Sequence, residues 1–87
     1  MEVLKVSGKS EPQQVAGAIS KQFEEGATTV ELHAIGAAAL NQMVKSIIVA
    51  RTYTAAQAIS FEAIEGFVTI NVNNEDRTGI KYVLIKK

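Results

Sequence analysis

Apolar and polar positions alternate in two segments of the first half of the chain, residues 2–7 and 28–35. A period of two is typical of a β-strand that buries one face. The sequence therefore predicts a strand in each segment. The inward-facing residues are then Leu4, Val6, Val30, Leu32 and Ala34, while Lys5, Glu31 and His33 face outward.

A first helix is predicted between these strands, because apolar residues recur every four positions from Val15 to Phe23. Ser10 and Gln13 have the spacing of a capping box, in which the Ser10 hydroxyl accepts a hydrogen bond from the Gln13 N–H. Gly26 is placed to end the helix in the left-handed conformation.

The second half of the chain predicts a longer helix and two more strands. The helix covers about residues 37–53. Residues 59–73 carry apolar side chains first at odd positions and, after Gly66, at even ones. Since a strand cannot change faces without an extra residue, we expect a bulge near Gly66. Polar residues 73–77 predict a hairpin turn before a last strand over 78–86. The second helix carries a stripe at helical spacing, formed by Leu40, Val44, Ile47, Ile48 and Arg51.

The element order is βαβαββ, in a single domain over residues 1–87. We predict an α/β fold of the two-layer α+β kind, with a four-stranded mixed sheet and two helices on one face. Surplus apolar residues on the outer face and on the second helix indicate self-association, most simply as a twofold dimer. The residues expected under the helices are Leu4, Val6, Val30, Leu32, Val68, Ile70, Ile80, Tyr82 and Leu84.

Composition excludes several classes of protein. Nine basic side chains balance nine acidic ones, so a protein that coats nucleic acid by bulk charge is disfavoured, although a local basic patch is not. There is no cysteine and one histidine, and no catalytic motif is recognisable. We therefore predict no enzyme activity, cofactor or metal. No signal peptide or bilayer-spanning run is present, which predicts a cytoplasmic protein without membrane contact.

Two places near predicted helix starts are candidates for binding an anion. Lys9 and Ser10 precede the first helix, whose amides and dipole favour phosphate. Lys9 is equally read as a solvated loop residue. Gly36 and Asn41 can present amides and a carboxamide to phosphates or base edges. Alternatively, the small residues around Gly36 permit close helix–sheet packing, and Asn41 finds its partner across a dimer interface.

For three basic side chains the sequence favours a structural role over ligand binding. Lys45 is read as a surface residue of the second helix, and Arg51 as a side chain that snorkels or pairs with a carboxylate. Arg77 follows Glu75 and Asp76, whose charges repel phosphate, so a salt bridge within the turn is favoured.

Four segments closely resemble the stage V sporulation protein S family: 4–9, 15–18, 34–42 and 75–78. The resemblance spans nearly the whole chain and is most specific over 34–42. That family is in turn similar to the Alba archaeal chromatin proteins, which are βαβαββ dimers that bind DNA and RNA. The resemblance implies the same fold.

The positions that bind nucleic acid in Alba are only partly kept. Residues 8–12 stand at a Gly-Lys-Lys-Pro-like motif but retain one lysine, Lys9. Residues 34–37 replace Ala-Arg-Gly-Arg and lack both arginines. Asn41 and Gln42 replace a serine-lysine pair, and Arg77 lies in the hairpin that Alba uses as a minor-groove arm. Tight DNA coating is therefore not implied.

The resemblance leaves two functional hypotheses. The first is a sporulation regulator that binds DNA or RNA weakly as a homodimer. The alternative is a protein-interaction module with the same fold and no nucleic acid. The candidate nucleic-acid-binding residues are Lys9, Ser10, Gly36, Asn41, Gln42, Lys45 and Arg77.

Overall fold

Six secondary-structure elements follow one another in the predicted βαβαββ order. The computed structural model describes residues 2–87. The strands form one mixed sheet in the order β1-β2-β4-β3, with β1 parallel to β2 and the other pairs antiparallel. None of the helices within residues 2–87 is long and apolar enough to span a membrane. The elements are β1 (Leu4–Val6), α1 (Pro12–Glu24), β2 (Thr29–Ala34), α2 (Ala37–Ala55), β3 (Phe61–Val72) and β4 (Glu75–Lys86).

The core lies between the sheet and the two helices. Phe23 of α1, Leu32 of β2 and Met43 of α2 are among its largest fully buried side chains. In β2 burial alternates as predicted, because Val30, Leu32 and Ala34 are buried while Glu31 and His33 are only half-buried on the outer face. A strand with one covered face is therefore predicted well by its period of two.

The start of α1 differs from the prediction, since no capping box forms. A backbone turn, in which the Ser10 N–H donates to the Ser7 carbonyl, precedes the helix. This turn brings the Ser10 hydroxyl to the Ser7 N–H, from which it accepts a hydrogen bond at 2.9 Å. The N-cap residue is Glu11, and its side chain makes no capping bond. At the other end Gly26 has φ +103°, the predicted left-handed conformation.

The buried face of α2 is rotated from the predicted stripe. Val44 and Ile48 belong to the predicted apolar stripe but are 37% and 61% exposed. Small side chains occupy much of the buried face instead, which lets α2 pack closely against α1 and the sheet. The buried residues of α2 are Ala39, Met43, Ser46, Ile47, Ala50 and Thr54.

Arg51 does not pair with a carboxylate within residues 2–87. Its guanidinium lies 4.5 Å from the centre of the Phe61 ring, and Nη1 donates to the Phe61 carbonyl at 2.8 Å. The contact is a cation–π interaction supported by a hydrogen bond. It fastens the last turns of α2 to the start of β3.

The bulge predicted near Gly66 is also wrong. Strands β3 and β4 pair without interruption from Phe61–Lys86 to Val72–Glu75. Because no residue is inserted, Phe61 faces the helices while Val68 and Ile70 face the opposite side. Val68 and Ile70 were therefore wrongly predicted to lie under the helices. The apolar residues of β3 move from odd to even positions because the covered face of the hairpin changes along its length. The backbone itself stays regular.

The far part of the hairpin projects beyond the sheet, and we call residues 68–79 the arm. The pairing of β4 with β2 ends at Ala34–Ile80, so the arm has only two strands. Its turn is Asn73–Asn74, both with positive φ (53° and 65°). Residues 75–77 consequently belong to β4 and not to the turn. With the arm the domain measures 41 × 21 × 18 Å.

The salt bridge predicted for Arg77 is absent. The ion pairs within residues 2–87 are His33–Glu31 and Lys87–Glu62. The carboxylate of Asp76 instead accepts a hydrogen bond from the Asn71 amide at 3.1 Å. Arg77 stands exposed on the arm, opposite Ile70.

Candidate nucleic-acid-binding end of the domain

Both helices begin at the same end of the sheet, and the arm projects from that end. This follows from topology, since the parallel strands β1 and β2 each lead into a helix at their carboxyl ends. The arm starts at the same edge, where Ala34 pairs with Ile80. We call this region the loop end and define it as residues 7–11, residues 35–45 and the arm. All seven candidate residues lie in it.

The β1–α1 loop is a tight turn organised by two serines. The Lys9 N–H donates to the Ser7 hydroxyl at 3.2 Å, and the Ser7 N–H donates to the Ser10 hydroxyl. The turn leaves the Lys9 side chain exposed. Sequence reasoning missed Ser7, although serines three positions apart around Gly-Lys are a signal for side-chain bonding within a turn.

This loop packs on the first turns of α2. The Gln42 carboxamide donates to the Ser10 carbonyl at 2.9 Å. A Cβ at Gly8 would lie 2.9 Å from the Cβ of Ala38, so only glycine allows the observed approach. Gln42 and Gly8 therefore hold Lys9 beside the start of α2. One N–H of the Gln42 carboxamide is therefore used to join the loop to α2.

The two helix starts differ in their capacity to attract an anion. Helix α2 begins after Gly36 (φ +88°), which has no side chain to cap the first amides. Ala37 and Ala38 are exposed, so this positive end of the helix dipole faces solvent. Helix α1 begins with a proline, which lacks an N–H, and follows the carboxylate of Glu11. The start of α2 is the better anion site.

Asn41 and Lys45 lie one turn apart on α2 and are both exposed. Residues four positions apart share one face of a helix, so the carboxamide and the ammonium group are neighbours. Lys45 has no ion pair within residues 2–87. The pair extends the polar surface from the first turn of α2 along the helix.

Arg77 is separate from this group. It lies in the middle of the arm, across from Ile70, and forms no ion pair within residues 2–87. Four other candidates, Lys9, Gly36, Asn41 and Lys45, lie on the β1–α1 loop and on the part of α2 that begins beside it, and we call them the cluster. The cluster can bind a phosphate by a lysine, helix amides and a carboxamide.

Metal-binding groups are not assembled at this end. Among the described residues, no three His, Asp or Glu side chains lie together in a way that could hold a metal ion. His33 is bonded to Glu31 on the outer face of the sheet.

The fold has a counterpart among solved structures. The chain is similar to Alba from Thermoplasma volcanium, with a TM-score of 0.61 and 15% sequence identity over 99% of each chain. At this identity the likeness concerns the fold alone. It confirms the predicted Alba-like arrangement.

The family resemblance read from the sequence is confirmed as well. The model of the family described as Stage V sporulation protein S (SpoVS) matches residues 2–87. The chain belongs to the Stage V sporulation protein S family.

Proposed function

We propose that this protein is a sporulation-associated regulator that acts in the cytoplasm as a homodimer and binds DNA or RNA weakly through the loop end. The family supports the association with sporulation, and the Alba-like fold is compatible with nucleic-acid binding. One contact carries the proposal. The hydrogen bond from Gln42 to the Ser10 carbonyl places Lys9 beside the uncapped start of α2.

The binding chemistry is that of a few phosphate contacts. The Lys9 and Lys45 ammonium groups and the amides after Gly36 are suited to phosphate oxygens, and Asn41 to a phosphate or a base edge. Since the chain has no net charge, attraction over long distances is small. Each neutralised phosphate contributes roughly 0.9 to the salt slope on duplex DNA. With two cations in the cluster, a shallow salt dependence is expected.

The apolar surface outside the core supports the homodimer. Val44 and Ile48 form an exposed flank of α2, and Phe67 of β3 is 80% exposed. Phe67 of β3 pairs with Ile80 of β4, and Ile80 pairs with the buried Ala34 of β2. Phe67 therefore lies on the helix-bearing face of the sheet. Surfaces of this kind are used for self-association through a twofold axis. A dimer would double the phosphate contacts.

Fluorescence anisotropy at low salt tests nucleic-acid binding, with a short DNA duplex and a single-stranded RNA as labelled probes. We expect the Lys9→Gln and Lys45→Gln variants each to bind more weakly and to lower the salt slope by about 1 for each protomer that contacts the probe. Lys21→Gln is the matched control, because Lys21 lies in the last turn of α1, away from the loop end. Absence of binding to both probes, or an equal loss with Lys21→Gln, contradicts the proposal.

A protein-interaction module is the second candidate function. The exposed Ile48 and Phe67 favour it, because apolar surface of this kind also suits a protein partner. The absence of arginine at Ile35 and Ala37 points the same way. Affinity capture before and after nuclease treatment separates the two functions. A partner that is retained after nuclease, and lost with Ile48→Asp, favours the interaction module.

A further inference from the structure

A groove lies where the arm meets the carboxyl ends of β1 and β2. Its volume is about 400 Å³. Its apolar lining includes Ile35, Ala39, Ile70 and Val72, with Lys5 and His33 among the polar residues. Small-molecule sites are commonly of this size and consist of apolar walls with a few polar groups. None of the seven residues assigned to nucleic acid lines it.

Gly79 explains how the walls of the groove come together. A Cβ at this position would lie 2.8 Å from the Ala34 carbonyl oxygen, 3.1 Å from Ile70 Cδ1 and 3.3 Å from Ile35 Cγ1. The missing side chain thus allows Ile35 and Ile70 to converge over the backbone of β4. The close approach of β2 and β4 thus shapes the groove, which the β1–α1 loop and the start of α2 complete.

Positive charge borders the groove on the outer face of the sheet. In the sheet, His33 of β2 lies beside Lys5 of β1 on one side and beside Lys81 of β4 on the other. The three side chains therefore form a row across three strands. Within residues 2–87 neither lysine has an ion pair, whereas the carboxylate of Glu31 is held by His33. The row therefore has two uncompensated ammonium groups.

The arm adds one charge of each sign on the same face. Arg77 lies opposite Ile70 and Glu75 lies opposite Val72. These two charges offset each other, and the lysine row leaves the surroundings of the groove positive. An apolar groove beside unpaired ammonium groups is complementary to a molecule with an apolar body and an anionic head.

We propose that this groove binds a small amphiphilic anion, namely a carboxylate or phosphate monoester with a short apolar tail. The tail lies against Ile35, Ile70 and Val72, where its burial is favourable. The head group lies at the Lys5 ammonium, within the field of Lys81. The site uses none of the seven residues assigned to nucleic acid, although it shares Ser7, Gly8 and part of the arm with the loop end.

Backbone amide NMR titrations test the site with hexanoate and hexyl phosphate as probes. Hexanol and hexylamine have the same tail and serve as neutral and cationic controls. We expect both anions to shift the amide signals of Ile35, Ile70 and Val72, and to bind more tightly than either control. The tighter of the two anions identifies the preferred head group.

Variants separate the head group from the tail. Lys5→Gln should weaken binding of the anions by about two- to fivefold, as for an exposed ion pair, and leave the response to hexanol unchanged. Ile70→Asn should weaken binding of every probe. Lys86→Gln, an exposed lysine at the opposite end of β4, is the charge control. Unshifted signals outside the groove show that a variant is folded.

The proposal is overturned by any of three results. These are no shift with either anion, equal binding of hexylamine, or an unchanged affinity of Lys5→Gln for both anions. Because no nucleic acid is present in the titration, failure here leaves the proposed function untouched. Failure of the anisotropy experiment likewise leaves the groove untouched.

Discussion

Individual glycines determine how closely the backbone segments of this domain approach one another. Gly8 lies against Ala38, and Gly79 lies against the Ala34 carbonyl. The sequence shows where these glycines stand but not what they face, because the contacting residues are far away in the chain. No packing role was predicted from the sequence for either Gly8 or Gly79.

Replacing Gly79 by alanine is expected to destabilise the domain by about 1–3 kcal/mol. The atom that a Cβ would meet at 2.8 Å is a backbone oxygen within the sheet, which cannot move aside as a flexible side chain can. The free energy of unfolding from urea denaturation measures the effect.

Gly17→Ala is the matched control. Gly17 lies within α1, and a Cβ there has no atom within 4 Å. Alanine should therefore stabilise this position by about 0.5–1 kcal/mol. If Gly79→Ala also leaves stability unchanged or raises it, the close approach at β4 is not a constraint.

At the scale of elements, the periodicity of apolar residues predicts which face of a strand or helix is buried only where one face is distinctly more apolar than the other. Strand β2 alternates throughout, and its buried positions were predicted correctly. Helix α2 has large apolar residues on its flank, such as Val44 and Ile48, and small ones such as Ala39 and Ala50 on its buried face. A pattern of hydrophobicity favours the larger side chains, whereas close packing selects the smaller ones.

The β3–β4 hairpin shows a second limit of the pattern. The apolar phase of β3 changes between Phe61 and Val68, which was interpreted as a bulge. The strand is regular, and only its surroundings change, because the arm extends past the helices. A sequence records which residues are apolar but not which face of a strand has a partner.

The turn of the arm makes a prediction that depends on backbone conformation. Asn73 and Asn74 both have positive φ, as two-residue hairpin turns of the primed type require. Asn74→Val should destabilise the hairpin by roughly 1–2 kcal/mol, since the left-handed region is costly for a side chain branched at Cβ. Amide hydrogen exchange of residues 68–79 measures the local effect.

Asn74→Gly serves as the control for that substitution, because glycine adopts positive φ readily and Asn-Gly is a favoured pair in such turns. The amides of residues 68–79 should be protected from hydrogen exchange at least as well in the glycine variant as in the unmodified protein. Equal exchange in the valine and glycine variants would show that the turn conformation does not limit the stability of the arm.

At the scale of the whole molecule, the homodimer is tested on the exposed flank of α2. Ile48→Asp should weaken dimerisation by at least about tenfold, because a buried unpaired carboxylate is costly at an apolar interface. Light scattering coupled to gel filtration over a range of concentrations measures the mass. We expect the variant to elute as a monomer where the unmodified protein is a dimer.

Thr52→Asp adds the same charge one turn further along α2, at an exposed polar position. It should leave the dimer intact if Ile48 is at the interface. A dimer that persists in Ile48→Asp places the interface elsewhere. A monomer in both variants shows that the loss is not specific to Ile48.

The candidate residues near the two helix starts were predicted from the sequence, but the contact that joins their segments was not. Lys9 and Gly36 were assigned from their positions before helices. Their proximity depends on the hydrogen bond between Gln42 and the carbonyl of Ser10, which are 32 positions apart. Sequence spacing also could not show that Arg77 stands apart on the arm. Local signals identify binding groups, whereas the packing of the fold decides which of them can act on one ligand.

The unbroken pairing of the hairpin restricts how this domain can change in evolution. One residue inserted into either strand would turn every later side chain of that strand to the opposite face. Two residues inserted into each strand would keep the faces and lengthen the arm by about 7 Å. The reach of the arm can therefore vary among relatives in steps of two residues per strand, while the sheet beneath it remains the same.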